Sequence, residues 1–288
     1  MPNYSLADRA VIITGAAGGI GAATARALVA RRAQVTLVDL SQSAVDGVAA
    51  SLPADRVLAH VADVTNVEQM TGVVEATKSR FGKVDVVFAN AGIANDPPTT
   101  LAAADLDAYE RVIEVDLLGV VRTIKPALPE VIANHGYILI TASIYAFVNG
   151  VINSAYAVSK AGVEMLGRSL RLELAPAGAS AGVLYPGWVA TPLVNVVRGQ
   201  DPTTTAFKER LFPGRLGAFI DPDDVATAIA DGIEARAARI IRPKLWRPVS
   251  ALRGVFNNVS DALLRHDTAT LAYIDQIDAN ARNKSTGQ

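Results

Sequence analysis

The chain has 288 residues, half of them hydrophobic, and a formal net charge of −1, which is enough apolar material for a large core in one or two domains. Its lysines and arginines are dispersed, so there is no basic patch for nucleic acid. It contains no cysteine and three histidines that are far apart, which excludes disulfides and thiol chemistry and argues against a metal site.

Strand and helix patterns alternate along most of the chain. Apolar runs predict strands near residues 10–14, 34–39, 56–61, 84–90, 136–142, 181–186 and 238–242. Helical patterns predict helices near residues 19–31, 42–51, 66–81, 103–132, 154–175 and 222–236. This alternation is typical of an α/β fold, a doubly wound parallel sheet of about seven strands with helices on both faces. Ligands of such sheets bind outside the carboxyl ends of the strands.

A glycine-rich turn follows the first predicted strand, with the spacing Gly15-x-x-x-Gly19-x-Gly21. Glycines permit a tight turn and a close backbone approach to phosphate, and the helix that follows offers unpaired N–H groups. The spacing differs from the commonest dinucleotide fingerprint, Gly-x-Gly-x-x-Gly. Taken alone, the turn is equally consistent with a glycine-rich surface loop, but its strand–turn–helix setting favours a dinucleotide site.

The second predicted strand ends in Asp39, eighteen residues after Gly21. A carboxylate near this separation hydrogen-bonds the adenosine ribose of NAD and repels the 2′-phosphate of NADP. Residues 40–43 contain no Lys or Arg, and positions 16–18 hold only Ala, Ala and Gly. These features predict NAD as the cofactor; the alternative is that Asp39 is a turn residue or a helix cap before Ser41.

A tyrosine–lysine pair lies near the start of the helix predicted at residues 154–175. Tyr156 and Lys160 are four residues apart, so they share one helix face. An adjacent ammonium favours the phenolate of a tyrosine, whose ordinary pKa is ~10. Ser143, thirteen residues before the tyrosine, can hydrogen-bond the oxygen that the tyrosine protonates or deprotonates. Helices carry such pairs by chance, so the glycine-rich turn is what strengthens this prediction.

Together these motifs resemble the short-chain dehydrogenase/reductase family in its standard single-domain form. The resemblance covers about residues 6–192, in family order, through Thr14-Gly15-x-x-x-Gly19-Ile20-Gly21, Asp63-Val64, Asn90-Ala91-Gly92, Ser143, Tyr156-x-x-x-Lys160 and Pro186-Gly187-x-Val189-x-Thr191. It implies a Rossmann-type fold and an NAD-dependent alcohol dehydrogenase or ketone reductase, with Ser143, Tyr156 and Lys160 as catalytic residues. It does not reach the C-terminal third of the chain, where substrate choice is made.

The resemblance also implies which residues contact the cofactor. Asp63 and Val64 are expected at the adenine, although Asp63 is also a candidate N-cap for a helix beginning near Asn66. The remaining expected cofactor contacts are Gly15, Ala17, Gly19, Ile20, Gly21, Asp39, Asn90, Ala91, Gly92, Tyr156, Lys160, Pro186, Gly187, Val189 and Thr191.

One position departs from the family pattern. Asp116 stands where the family carries an asparagine that helps to hold a water molecule beside the lysine. An aspartate accepts hydrogen bonds but offers no amide donor, and its charge would stabilise the Lys160 ammonium and oppose the Tyr156 phenolate. We include Asp116 among the catalytic residues, with the alternative that its side chain is incidental.

Segments 94–101, 144–152 and 188–212 are expected to wall the substrate pocket, with Ser143, Tyr145, Tyr156 and Trp188 touching substrate. Other expected wall residues are Phe147, Val148, Val151, Ile152, Leu193, Val196, Val197, Phe207, Leu211 and Phe212. Their charged residues are Asp96, Arg198, Asp201, Lys208, Glu209 and Arg210. This composition favours a hydrophobic secondary alcohol or ketone, whether cyclic, terpenoid, steroid-like or aryl. The alternatives are another reaction on the same scaffold or a cofactor-binding sensor without turnover.

We expect one domain over residues 1–242, with a substrate loop near 188–215, and a helical C-terminal extension over 243–288. In the extension, apolar residues recur at helical spacing and Ser260 is a candidate cap for a second helix. The extension is expected to pack over the substrate mouth or against a partner subunit; the alternative is a membrane surface. The N-terminus has no signal pattern, and residues 179–197 fit a strand and loop better than a membrane span. These features predict a cytoplasmic protein. The resemblance implies a homodimer or homotetramer that assembles through the two long helices near 103–132 and 154–175.

Overall fold

A computed structural model describes residues 4–191 and 202–286 of the chain. One sheet of seven parallel strands runs through the described part in the order β3-β2-β1-β4-β5-β6-β7. The strands are β1 (Ala10–Thr14), β2 (Gln34–Asp39), β3 (Val57–Val61), β4 (Val86–Ala89), β5 (Tyr137–Thr141), β6 (Ser180–Pro186) and β7 (Arg239–Arg242). The strand order reverses between β1 and β4, which places a crevice at their carboxyl ends. The predicted doubly wound sheet is confirmed.

Helices cover both faces of the sheet because strand side chains alternate between two apolar layers. Ile12 and Ile138 pack with one layer, whereas Ile13 and Leu139 pack with the other. The helices are α1 (Gly19–Ala30), α2 (Gln42–Ala49), α3 (Val67–Phe81), α4 (Leu106–Ile113), α5 (Gly119–Ala133), α6 (Ser154–Glu173), α7 (Pro202–Leu211), α8 (Pro222–Glu234), α9 (Trp246–Ala251), α10 (Arg253–His266) and α11 (Thr268–Thr286). Helices α3, α5 and α6 contribute to the first layer, and α1 and α8 contribute to the second.

The prediction of a single helix over residues 103–132 is wrong at the centre of that range. Helix α4 ends at Ile113, and a π-helical turn, Glu114–Leu118, leads into α5. A π turn inserts an extra residue and rotates the side chains that follow it, and such turns are frequent at functional sites. Here the turn carries Asp116, whose side chain is fully buried.

The C-terminal extension is helical, as predicted, and its last helix returns to the carboxyl edge of the sheet. The Tyr273 ring of α11 lies 5.9 Å from the Phe207 ring of α7. Asp278 of α11 accepts hydrogen bonds of 3.0 Å from the Thr99 hydroxyl and from the Thr100 N–H. Helix α11 therefore ties α7 to the loop after β4.

Two local predictions for the C-terminal third need correction. Helix α7 forms inside the segment that was predicted to be a substrate loop. Ser260 does not cap a helix, because α10 already begins at Arg253 and the Ser260 hydroxyl donates to the Asn257 carbonyl oxygen at 3.1 Å. Within residues 4–191 and 202–286, no helix is both long and apolar enough to cross a bilayer.

Candidate active site

A cleft of about 1270 Å³ opens along the carboxyl ends of β1, β2, β4, β5 and β6. It collects most of the predicted cofactor contacts, which come from distant parts of the chain. Its lining includes Gly15, Gly19, Ile20, Gly21, Asp39, Asp63, Val64, Asn90, Ala91, Gly92, Asp116, Tyr156, Lys160, Pro186, Gly187, Val189 and Thr191. Ala17 was predicted as a cofactor contact but is not part of this lining.

The glycine-rich turn is packed so closely that side chains would not fit. Gly15 has a φ of +64°, and a Cβ atom built on it would lie 2.9 Å from the Cα of Ala91. A Cβ atom on Gly19 would lie 2.6 Å from the Thr191 Cγ2 atom. Glycine is therefore required at both positions, for conformation at the first and for close approach at the second.

Asp39 fixes this turn from the end of β2. Its Oδ2 atom accepts the Ala17 N–H at 3.0 Å, and its Oδ1 atom accepts the Leu40 N–H at 2.8 Å. Helix α2 is capped by Ser41, whose hydroxyl accepts the Ala44 N–H at 3.3 Å. The helix-cap alternative for Asp39 is therefore wrong, and its carboxylate faces the cleft.

Asp63 has a similar place at the end of β3. Its Oδ1 atom accepts hydrogen bonds from the Thr65 N–H at 2.8 Å and the Thr65 hydroxyl at 2.7 Å. Partial burial raises the pKa of Asp63, but these bonds and the Arg111 guanidinium outweigh it and hold the pKa below its ordinary value. Asn66, not Asp63, caps α3, because it accepts the Gln69 N–H at 2.9 Å.

Sequence reasoning missed Arg111, which lines the cleft from α4 with its guanidinium 4.0 Å from the Asp63 carboxylate. The helix around Arg111 was predicted, but no feature of its spacing marks this residue. The fold brings the two side chains together from different elements.

Asn90 joins the ends of three strands. Its side-chain amide donates to the Thr14 carbonyl oxygen at 3.1 Å, and its Oδ1 atom accepts the Thr141 hydroxyl at 3.1 Å. Its backbone N–H donates to the Thr14 hydroxyl at 3.0 Å. This network fixes β1, β4 and β5 against one another at the floor of the cleft.

The predicted catalytic residues are brought together at the start of α6. Lys160 is buried, and its ammonium lies 5.2 Å from the centre of the Tyr156 ring and donates to the Thr141 carbonyl oxygen at 3.2 Å. Burial raises the pKa of Tyr156, and Asp116 adds to the rise, whereas the Lys160 charge and a hydrogen bond with Ser143 oppose it.

Asp116 completes this group. Its Oδ2 atom lies 3.0 Å from the Lys160 ammonium, and its Oδ1 atom accepts the Ile93 N–H at 2.7 Å. Burial alone lowers the pKa of Lys160, but the Asp116 and Tyr156 charges raise it above its ordinary value. Burial raises the pKa of Asp116, opposed by the Lys160 ammonium. A Cβ atom on Gly92 would lie 3.1 Å from the Asp116 Oδ2 atom and 3.2 Å from the Lys160 Nζ atom, so the Gly92 backbone lies directly against this ion pair.

The cleft fits a dinucleotide. Its glycine-rich wall lets the backbone come close to a phosphate, and helix α1 begins at this wall. The Asp39 carboxylate lies at the end of β2, and the Lys160 ammonium lies beside Tyr156. The residues that would hold the group come from β1, β2, β4, α6 and the segment after β6. No cluster of metal-ligating side chains occurs among the described residues.

A second cavity of about 750 Å³ adjoins the cleft and shares Tyr156 and Gly187 with it. Its wall is largely apolar and includes the predicted residues Ser143, Tyr145, Val151, Ile152, Trp188, Phe207, Leu211 and Phe212. Tyr145 contacts Tyr156, Trp188 and Phe212 edge-on, at ring separations of 5.9, 6.1 and 6.0 Å. The predicted wall residues Leu193, Val196, Val197, Arg198 and Asp201 lie outside the described residues.

Comparison with known proteins shows the family of this chain. The family model for short chain dehydrogenase matches residues 9–202. Cis-4-hydroxycyclohexanecarboxylate dehydrogenase from Sinomonas cyclohexanicum is 38% identical over 229 residues, which cover 78% of this chain and 89% of that protein.

Solved structures of this fold are also similar. The crystal structure of levodione reductase has a TM-score of 0.74 and 28% identity, covering 82% of this chain and 95% of that one. The structure of 3-ketoacyl-(acyl-carrier-protein) reductase from Brucella melitensis, complexed with NADH, has a TM-score of 0.73 and 27% identity, covering 83% and 98%.

Proposed function

The chain belongs to the short-chain dehydrogenase family, and from that premise we propose that it interconverts an apolar, cyclic secondary alcohol and its ketone with NAD. The observation that carries this proposal is the position of Tyr156, which lines both the cleft and the apolar cavity. A proton-transfer group at the boundary between a dinucleotide site and a substrate pocket is what alcohol oxidation requires.

In this mechanism Tyr156 is the general base for oxidation and the general acid for reduction. Its phenolate takes the proton from the substrate hydroxyl, and Ser143 hydrogen-bonds the same substrate oxygen. The chemistry that NAD supplies when bound is acceptance of the hydride from the carbinol carbon. Proton transfer by a positioned side chain accelerates such reactions by on the order of 10²–10⁴-fold.

Lys160 stabilises the phenolate by charge and also lines the cleft, where it would bind the ribose hydroxyls. Its donor contact with the Thr141 carbonyl oxygen and its ion pair with Asp116 hold the ammonium in place. Lys160 and Asp116 are both buried. Contacts with water therefore do not disturb the orientation of either side chain.

NAD is proposed over NADP because the Asp39 carboxylate stands at the cleft end of β2. A 2′-phosphate there would meet a negative charge, and the ribose would no longer have a 2′-hydroxyl to donate to the carboxylate. The structural relative from Brucella melitensis was solved with NADH, which supports a nicotinamide cofactor in this cleft.

A cyclic substrate is proposed from the aromatic wall and from the relatives. Tyr145, Trp188 and Phe212 make a rigid apolar surface that suits a ring. The names of the similar proteins mention a hydroxycyclohexanecarboxylate and levodione. Both name ring compounds that carry a hydroxyl or keto group.

The test is a panel of 4-methylcyclohexanol, borneol, 4-hydroxycyclohexanecarboxylate and meso-2,3-butanediol with NAD and with NADP, followed at the absorbance of the reduced nicotinamide. We expect turnover of the ring alcohols with NAD, and loss of at least about 10²-fold in kcat for Tyr156→Phe. Retained NAD binding in this variant shows that its fold is intact. No turnover of any alcohol or matching ketone by the unmodified protein would refute the proposal.

A further inference from the structure

Helix α10 packs against the rest of the chain with its polar side. None of its residues, all of which the structure describes, is fully buried. The half-buried ones are Arg253, Asn257, Ser260 and Leu264, whose helical spacing places them on one face. In an ordinary surface helix the face toward the protein is apolar. Here that face is mostly polar, so the usual arrangement is reversed.

Polar contacts hold α10 in this orientation. The Arg253 Nη1 atom donates to both carboxylate oxygens of Glu164 at 2.8 Å, and Glu164 is buried on α6. Farther along the helix, the Asp261 carboxylate accepts a hydrogen bond of 3.0 Å from the Asn149 side chain. Charge-assisted hydrogen bonds are stronger than neutral ones. Rotating α10 to bury its apolar side chains would break these contacts.

The other side of α10 is an exposed apolar stripe. It consists of Leu252, which directly precedes the helix, and Val255, Phe256, Val259 and Leu263, all between 42% and 70% exposed. Their spacing places them on one side of the helix. Single exposed apolar residues are ordinary, but a continuous stripe of them marks a surface for a partner. These residues are the α10 stripe.

The chain beside the α10 stripe carries positive charge. Residues 242–260 contain four Lys or Arg residues and no Asp or Glu. Lys244 and Arg247 are exposed and flank Leu245, which is also exposed. A further exposed cation, Arg168 of α6, lines the groove between α6 and α10. The α10 stripe therefore adjoins a cationic surface.

The nearby carboxylates do not offset this charge at the stripe. Glu164 is buried and paired with Arg253. Asp261 lies two residues after Val259, and a rotation of about 100° per residue places it nearly opposite the stripe. A face that is apolar and cationic suits an anionic lipid surface. A twofold contact with a second copy would instead bring the same cations together.

We propose that the α10 stripe binds the surface of an anionic bilayer, with Lys244 and Arg247 contacting the lipid head groups. The helix lies along the surface and does not cross it. Helix α9 joins this site to the substrate cavity, because its Trp246 ring lies 5.9 Å from the ring of Phe212, which lines that cavity. A docked protein keeps its substrate wall close to lipid. Lipid binding needs no turnover, so this inference does not depend on the proposed reaction.

Sedimentation with lipid vesicles tests the proposal. The full chain is mixed with vesicles of phosphatidylcholine alone, and with vesicles of phosphatidylcholine and phosphatidylglycerol in equal parts. We expect binding to the mixed vesicles to be about tenfold tighter and to weaken as salt is added. Combining Val255→Ser with Val259→Ser should weaken binding to the mixed vesicles by about tenfold or more. Leu106→Ser, at a comparably exposed position of α4, is the matched control and should bind like the unmodified protein.

Charge reversal tests the cationic part of the site. Lys244→Glu combined with Arg247→Glu should remove the preference for the mixed vesicles. An unchanged denaturant midpoint shows that each variant is folded.

Four outcomes would overturn the proposal. They are an unmodified protein that binds neither kind of vesicle, one that binds both equally, and a double-serine variant that binds as well as the unmodified protein. The fourth is a fall in the mass of the double-serine variant in light scattering, which would assign the α10 stripe to a second copy of the chain.

Discussion

Asp116 controls the charge around the proposed proton-transfer residues. Its carboxylate is 3.0 Å from the Lys160 ammonium and therefore offsets part of the positive charge that lowers the pKa of Tyr156. An asparagine there would keep an oxygen for the Ile93 N–H but carry no charge. The substitution thus isolates the electrostatic effect from the geometric one.

Asp116→Asn should move the rising limb of the alcohol-oxidation pH profile to lower pH. Asp116 raises the pKa of Tyr156, so removing its charge lowers that pKa, and the phenolate that oxidation needs forms at lower pH. The falling limb of ketone reduction should move the same way, because reduction needs the protonated tyrosine. Profiles of the two proteins that superimpose would remove Asp116 from the catalytic group.

Asp116→Ala should instead act on stability. It leaves the Lys160 ammonium buried without a carboxylate, which costs about 3–5 kcal/mol when one member of a buried pair is removed. Denaturant unfolding of the variant and of the unmodified protein measures this cost. An alanine variant as stable as the unmodified protein would contradict this account of the pair.

Asp39→Ala should narrow the preference for NAD over NADP. The variant loses an acceptor for the ribose and the charge that would repel a 2′-phosphate, so the kcat/KM for NAD should fall by about tenfold or more while that for NADP rises. Because Asp39 also accepts the Ala17 N–H, Asp39→Asn is the control that keeps an acceptor for the turn. Equal efficiency of the unmodified protein with both cofactors would refute the assignment.

At the scale of elements, α11 holds α7 against the loop after β4. Asp278 accepts from Thr99 and Thr100, while Tyr273 and Ile277 pack with Phe207. Phe207 lines the substrate cavity. Helix α11 therefore supports the substrate wall, and none of its described residues lines the dinucleotide cleft.

Asp278→Ala should raise the KM for the alcohol several-fold and leave the affinity for NAD unchanged. The hydrogen bonds to Asp278 outweigh the effect of its burial and lower its pKa. The stabilisation from the hydrogen bonds of Thr99 and Thr100 to Asp278 is therefore complete above the ordinary pKa of a carboxyl. It is lost as the pH falls through the lowered pKa of Asp278. Asp275→Ala, on an exposed position of the same helix, is the matched control. A parallel rise in the Kd for NAD would show that the effect is not local.

At the scale of the whole molecule, apolar side chains remain exposed on the two long helices α5 and α6. Val158, Met165 and Leu172 of α6 are 54%, 55% and 77% exposed, and Val121 of α5 is 41% exposed. Isolated exposed apolar residues are ordinary, but several on adjoining helices favour an interface. We propose a homodimer or homotetramer that covers these helices.

Light scattering after size exclusion should give a mass that is a multiple of 30.1 kDa. Val158→Glu should lower the assembly state, because it places a charge in the covered surface without a partner. Thr71→Glu, on the exposed face of α3, is a comparable control. A monomer at micromolar concentration in the unmodified protein would refute the proposal.

Particular residues show how much of the fold and of the candidate site the sequence predicts. The central strands β1, β4 and β5 were predictable because their apolar runs are buried on both faces. The glycine-rich turn and the Tyr156–Lys160 pair follow from local spacing. The π turn at Glu114–Leu118 was not predictable, because the helical pattern continues on both sides of it. Asp278 and Thr100 are 178 residues apart, and no local pattern encodes their contact.

The order of the cleft and of α11 along the chain has a consequence for synthesis on the ribosome. The described residues that line the dinucleotide cleft precede residue 192, whereas the helix that braces the substrate wall begins at Thr268. A nascent chain therefore exposes these cleft-lining residues long before α11 emerges. A ribosome that stops before Thr268 releases a protein whose substrate wall lacks the support of α11.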